Sequence, residues 1–403
     1  MRLRAARYAW PVIWLVLTTC CNYVPGEPQA GPSPWPAAPP APVNIVATIA
    51  EAGTPAWRVS ASPGQDRNDL RAVAFLDEAR GWAAGDGAVY ETADGGRHWE
   101  RLNVEVSPTT SAVGLAFSTS YAWVALQRRP AEPSRHQDHQ VVLLRAGGDK
   151  RGWQSQLVSE RAFVMDVSFV KEEGWLTGLK YVGPGRFDTA LFVLHTSDEG
   201  EHWVDVSEDL NRVAAEGKGS ATGWVADVVP KGPLAATVLT SRGHLFSTGD
   251  GGKSWRRVGR DENDSPFVGM TAFRLGFKPD RLHWIAGGEH GEEGTSSTLA
   301  FEQPQGSWKR YHLGGIELKD VQFISGTDVL ACGLSFPKDA QPDFEKTEGV
   351  ILYSSDGGEN WLVIYRNAQV KSINALGPVD SLHVWAVGDQ GIILHLEKVP
   401  KSQ

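Results

Sequence analysis

The stretch Thr92-Ala-Asp-Gly-Gly-Arg-His-Trp99 recurs as Thr196-Ser-Asp-Glu-Gly-Glu-His-Trp203, Thr248-Gly-Asp-Gly-Gly-Lys-Ser-Trp255 and Ser354-Ser-Asp-Gly-Gly-Glu-Asn-Trp361. The shared pattern Ser/Thr-x-Asp-x-Gly-x-x-Trp has one physical logic. A hydroxyl and a carboxylate accept backbone N–H groups across a tight turn, and glycine supplies the positive φ that the turn needs. The tryptophan opens the next strand and covers the turn with a large apolar ring. Each copy therefore predicts a β-hairpin corner, stapled by Asp94 and Trp99, Asp198 and Trp203, Asp250 and Trp255, and Asp356 and Trp361.

Outward from these corners, three short strand-like runs recur about every 50 residues, the spacing of a repeat architecture. The first includes RAVAF (71–75), MDVSF (165–169) and KDVQF (319–323); the second includes GWAAG (81–85), GWLTG (174–178) and VWAVG (384–388). The third includes AVYET, LFVLH, VILYS and IILHL. A fourth run starts at Trp99, Trp153, Trp203, Trp255, Trp308 and Trp361, so seven copies of the first three runs meet six of the fourth. PAWRVSAS (55–62), with Trp57, has the corner-exit pattern and no runs before it. The expected fold is all-β: a seven-bladed β-propeller of four-stranded antiparallel blades over residues 44–399, the last blade closed by the N-terminal strand 55–62. Closure of this kind removes the free sheet edge.

Composition agrees with a turn-rich β fold: 16 Trp, 44 Gly and 24 Pro in 403 residues, with three Met and three Cys. The net charge of −9, without a long Lys/Arg run, gives no sign of a nucleic-acid partner. Residues 1–20 read as a signal peptide, with Arg2, Arg4 and Arg7 ahead of the apolar run Trp10 to Leu17. The run ends in Leu17-Thr-Thr-Cys20, which resembles a lipobox with Cys20 as the lipidated residue, and Cys21 is the neighbouring candidate. Residues 21–43 are Pro- and Ala-rich and read as a tether. Cys332 is the single cysteine of the body, so no disulfide is expected within it. It is read as a small buried residue. The expected setting is export with a lipid anchor, facing the periplasm or the cell exterior.

In a propeller the corner turns share a face with the first-to-second turns, and the second-to-third loops and inter-blade links share the other. The long insertions at 127–140, 180–189, 288–297 and 334–348, with the link 208–223, fall on the face opposite the corners. Binding residues concentrate in loops on rigid scaffolds, so this face is the functional candidate. Its charge is split. Arg128, Arg129, Arg135, Lys180 and Arg186 fall on the second and third blades. Asp261, Glu262, Asp264, Glu289, Glu292, Glu293, Asp339, Asp343 and Glu345 fall over blades four to six. Such a split would orient a charged partner. Asp166, Asp227 and Asp320 occupy one register of the innermost run, with Arg274 at that place in the fifth blade. There they either line the channel and hold a cation or bond the backbone of the next blade. His136, Asp138, His139, Glu289 and His290 are metal-capable types in loop settings that make poor cages, so no metal or other cofactor is expected. No P-loop, nucleophile elbow, CxxC or HExxH motif is present.

The repeated corner resembles the Asp-box, or bacterial neuraminidase repeat, of sialidase-like propellers. The combination GWAAGDGAVYETADGGRHW with the terminal VWAVGDQGIILH resembles the photosystem II stability/assembly factor family over about residues 44–399. That resemblance implies a seven-bladed propeller that is non-catalytic and binds an envelope or membrane protein; a monomer is expected. The departures are the long insertions and the two blades without the Asp. The alternative is a sialidase-like glycosidase or a polysaccharide-binding propeller. The Arg-Ile-Pro sign of the sialidases is absent.

Overall fold

The computed structural model describes residues 43–51, 57–62, 68–104, 109–129, 138–147, 150–185, 187–216, 223–259, 271–277, 283–291, 294–304, 307–336 and 344–399. The lipobox, the tether up to residue 42, Arg135, Arg186, His136, Asp261, Glu262, Asp264, Glu292, Glu293, Asp339 and Asp343 lie outside them, as do the side chains of Glu289 and His290.

Seven sheets, each built on four antiparallel strands, form a propeller. Blade 1 comprises Leu70–Phe75, Gly81–Gly85, Ala88–Thr92 and Glu100–Arg101. Blade 2 comprises Thr110–Phe117, Tyr121–Arg128, Gln140–Gly147 and Lys150–Glu160, and blade 3 Ala162–Val170, Glu173–Tyr181, Thr189–Thr196 and Val204–Asp205. Blade 4 comprises Val225–Gly232, Ala235–Thr240, Leu245–Thr248 and Arg256–Val258, and blade 5 Thr271–Phe277, His283–Gly291, Gly294–Glu302 and Trp308–Gly314. Blade 6 comprises Ile316–Phe323, Val329–Ser335, Glu348–Ser354 and Asn360–Asn367. Blade 7 has three strands from the C-terminal end, Ile373–Pro378, His383–Gly388 and Ile393–Lys398, with Trp57–Ser62 as the fourth. The closure expected from PAWRVSAS is therefore present, with Trp57 opposite Lys398.

The second strands are buried nearly throughout because they lie at the centre of each blade between two neighbours: Gly81–Gly85 and Val329–Ser335 expose no residue. Apolar side chains from consecutive blades interlock into shared clusters, such as Trp284 and Phe301 of blade 5 with Val321 and Trp361 of blade 6. Cys332 is fully buried as a free thiol in the cluster shared by blades 6 and 7, opposite Asp320 on the inner strand.

The N-terminal segment does more than close blade 7. Strand β1, Val43–Val46, runs parallel to Trp308–Gly314 as a fifth strand on blade 5. Strand β2, Thr48–Glu51, runs parallel to Asn360–Asn367 as a fifth strand on blade 6. Ala47 between them is buried, and Ile49 packs on the cluster shared by the two blades. Strand β3, Trp57–Ser62, then enters blade 7, so one segment ties three consecutive blades together.

Two loop readings need correction. Residues 208–216 do not form a link on the far face: Ser207–Glu216 is an α-helix, α1, that takes the place of an outer strand on blade 3. Ser207 Oγ accepts Val193 N–H at 2.8 Å and donates to Val193 O at 3.2 Å. Asn211 accepts Leu191 N–H at 3.0 Å and donates to Leu191 O at 2.8 Å. One helical turn rises about 5.4 Å and two strand residues span about 7 Å, so residues four apart on a helix reach alternate residues of a strand edge. Likewise, residues 288–297 extend the hairpin of blade 5, pairing out to Gly291 and Gly294.

The repeated corners have the expected staple and an added role. Thr92 Oγ1 accepts Gly96 N–H at 2.8 Å and donates to Asp94 Oδ1 at 2.9 Å, and Asp94 Oδ1 accepts His98 N–H at 2.9 Å. The same bonds recur around Asp198, Asp250 and Asp356. The backbone N–H and ring of His98 hold the Asp94 carboxyl down at about 2, and the hydroxyl and N–H of Ser254 do the same for Asp250. Beyond the corner, Trp99 packs edge-on against Trp385 of blade 7, at 5.8 Å between ring centres. Trp255 likewise meets Trp175 of blade 3 at 6.1 Å. Trp153 and Trp203 are only half-buried, unlike Trp57, Trp99 and Trp361.

Candidate binding site

Every inner strand carries a register shift at one place: before Ala72, Gly114, Asp166, Asp227, Arg274, Asp320 and Ala375. A bulge sharpens the local twist and re-aims the residue that follows. Those residues thus stand at matching points around a central channel of about 500 Å³. One arc of the ring is Asp166, Asp227, Arg274 and Asp320; the other is Ala375, Ala72 and Gly114.

The polar arc is largely occupied with joining blades. Asp166 Oδ2 lies 3.4 Å from Val228 N of blade 4. Asp227 Oδ2 accepts Leu275 N–H of blade 5 at 2.7 Å, and Asp320 Oδ2 accepts Leu376 N–H of blade 7 at 2.9 Å. Across the remaining junction Arg274 pairs with Asp320 at 3.3 Å. These residues line the channel and bond the backbone of the next blade, and the cation among them is the guanidinium of Arg274. Burial, then the neighbouring Asp227 charge, pushes the Asp166 carboxyl well up. A hydrogen bond with Asp227 adds to that rise, and burial raises the Asp227 carboxyl too, against the pull of Arg274. Burial would weaken the Arg274 charge, but Asp320, Asp227 and Asp166 together strengthen it.

On the face opposite the corners, the channel mouth at blades 7, 1 and 2 carries a charged network not foreseen from the sequence. Arg71 forks onto Asp86 with two bonds of 2.9 Å and lies 3.7 Å from Asp69. Asn374 donates to Asp389 Oδ1 at 2.9 Å and to Leu70 O at 2.8 Å. Arg129 joins through Ser111 Oγ at 3.2 Å. Arg71 and Asn374 are the bulged residues of their strands, and the polar type at that position in RAVAF and SINAL was the available signal.

The proposed basic residues fall at the far-face ends of second strands on blades 2 and 3. Arg128 is exposed and donates to Gln140 Oε1 at 3.2 Å. Arg129 is half-buried in the network above, and burial lowers its pKa. Lys180 is bound to Asp205 at 2.9 Å. Of the acidic set, Glu345 pairs with Lys371. His139 accepts from buried Gln127 at 3.2 Å and stacks on Tyr181, which makes it a packing residue between blades 2 and 3. Gln127 also accepts Val164 N–H at 2.9 Å. Among the described residues no group of three His, Cys, Asp or Glu is placed to hold a metal, and no helix is long and apolar enough to cross a membrane.

The fold and this channel define a seven-bladed β-propeller. No family model and no curated protein matches the chain. Solved structures do. YCF48 bound to a D1 peptide is similar at 16% identity and a TM-score of 0.55, over 88% of this chain and 100% of that one. YCF48 from Cyanidioschyzon merolae aligns at 18% identity and a TM-score of 0.58, over 84% of this chain and 98% of that one. The WD40 propeller domain of Doa1 aligns at 10% identity and a TM-score of 0.57, over 86% and 98%. At these identities the likeness is one of fold.

Proposed function

We propose that the chain is a non-catalytic propeller of the bacterial cell envelope that binds a protein partner and assists its assembly. Export and a lipid anchor on Cys20 would hold it at the membrane, with Asp-box corners as its scaffold side. The observation that carries this reading is the commitment of the channel carboxylates. Asp227 and Asp320 are bound to backbone N–H groups of the next blade, and Asp320 also to Arg274. A glycosidase needs a carboxyl pair free to meet its substrate. The likeness to a propeller solved with a D1 peptide supports a protein ligand. The far face offers the loops, and Arg128, Arg161, Arg242 and Lys346 are exposed cations on it.

Affinity capture from detergent-solubilised source membranes, with wild-type and Arg128→Glu protein as paired baits, tests the reading. A membrane protein enriched by the wild type and reduced at least about fivefold by the variant, at unchanged melting temperature, is expected for a salt-dependent rim contact. Equal capture by both would remove this face from the proposal. Turnover of a fluorogenic glycoside panel, abolished by a channel substitution, would replace it with the glycosidase.

A further inference from the structure

The outer edges of the blades are not treated alike. Blades 1, 3 and 4 end in strands of two or three residues, the third backed by α1. Blades 5 and 6 have fourth strands of seven and eight residues, and each is covered by a parallel fifth strand, β1 or β2. Blade 2 has the longest fourth strand, the 11 residues Lys150–Glu160, and among the described residues nothing pairs with its outer side. An open edge is a template for strand addition, and natural edges are normally guarded by charge, proline or shortness. The stretch Gly152–Val158, GWQSQLV, has no charged residue and no proline, and its breaks in pairing lie at the two ends, between Lys150 and Gln154, where Gly152 has φ 84°, and between Leu157 and Ser159. Its Leu157 is 51% exposed.

The chain itself shows what such an edge accepts. β1 pairs with Lys309–His312, just after Trp308, and β2 with Asn360–Val363, around Trp361. Matching Trp153 to these two tryptophans places an added strand over Gly152–Leu157. The segment Val43–Glu51 is already bound in cis to blades 5 and 6 and leads into β3, so it is not free to serve blade 2. We propose that this edge takes up an extended segment of a partner protein as a fifth, parallel strand over Gly152–Leu157. An apolar side chain of the guest covers Leu157. Main-chain hydrogen bonds supply the affinity and the alternate side chains the selectivity. This surface is separate from the far face and does not depend on it.

The test uses full-length protein and a fluorescein-labelled peptide of sequence VNIVATIAE, the chain's own edge-adding segment. Anisotropy should show saturable binding, and hydrogen exchange read by mass spectrometry should show new protection within Gly152–Leu157. Leu157→Lys, at an exposed site, should weaken binding at least about tenfold at unchanged melting temperature, because a lysine guards an edge. The proposal is overturned by absence of saturable binding or by full affinity in Leu157→Lys. Protection confined to Trp308–Gly314 and Asn360–Asn367 would also overturn it, by showing strand exchange. A dimer with Gly152–Leu157 protected before peptide is added would assign the edge to a second copy and overturn it too.

Discussion

Gly96 of blade 1 lies flat against the indole of Trp385 of blade 7: a Cβ on Gly96 would stand 2.2 Å from the ring. The equivalent glycines do the same toward their preceding blades, Gly200 against Trp123 and Gly358 against Phe301. The corner is thus a contact between blades as well as a turn. The position before it is different. Glu199 occupies it in blade 3 with φ 55°, and Gly357 has nothing within 4 Å of its would-be Cβ. Gly96→Ala is expected to cost about 3 kcal/mol from strain and overpacking, against about 1 kcal/mol for Gly357→Ala. Paired urea melts check this, and equal losses would refute the inter-blade role.

Trp99 is 4% exposed and touches both Phe75 and Trp385. Trp99→Ala should lose about 3–5 kcal/mol, the usual cost of deleting a buried large aromatic. Trp203→Ala should lose less, because Trp203 is half-buried. Equilibrium unfolding of the two variants gives the comparison.

Asp320 is 2% exposed and serves Val321 N–H at 2.8 Å, Leu376 N–H at 2.9 Å and Arg274 at once. Asp320→Ala should destabilise by about 3 kcal/mol, since it orphans buried donors and takes away the carboxylate paired with Arg274. Asp320→Asn should recover part of that loss, because its amide oxygen still accepts one N–H. Thermal melts at neutral pH distinguish the two.

Stability should respond to pH through two opposed sets of carboxyls. Asp94 and Asp250, held at about 2, add stability above the ordinary carboxyl range, and it is lost as pH falls toward 2. Asp166 is raised, so the folded chain binds a proton that the unfolded chain releases. Its contribution is complete below about pH 4 and is lost as pH climbs through the folded value. Asp166→Asn keeps a donor toward Asp227 without the charge. It should raise the melting temperature at pH 8 and leave it unchanged near pH 3.5. A loss at both pH values would show that Asp166 acts as a carboxylate.

Removing residues 1–52 takes away β1 and β2 but leaves β3. Blades 5 and 6 would then expose the edges of their fourth strands and uncover the cluster over which Ala47 and Ile49 sit. The shortened chain should fold at a lower melting temperature, and removal through residue 62 should leave blade 7 open and prone to aggregate. Size-exclusion chromatography with circular dichroism reads both outcomes.

Local chemistry made much of this legible in the sequence. The corners, the blade count and the role of Trp57 follow from short-range rules: a hydroxyl, a carboxylate and a glycine specify a turn wherever they stand at this spacing. The shared register of Asp166, Asp227, Asp320 and Arg274 was likewise readable, because inner strands repeat in phase. What those side chains bond to was not, since Val228, Leu275 and Leu376 become neighbours only when blades close into a ring. The same holds for α1, whose Ser207 and Asn211 imitate a strand only beside Val193 and Leu191. Nothing local in Val43–Glu51 marks it as a fifth strand for two blades. Its partners are hundreds of residues away, and an edge has no sequence signal until the sheet that needs covering exists.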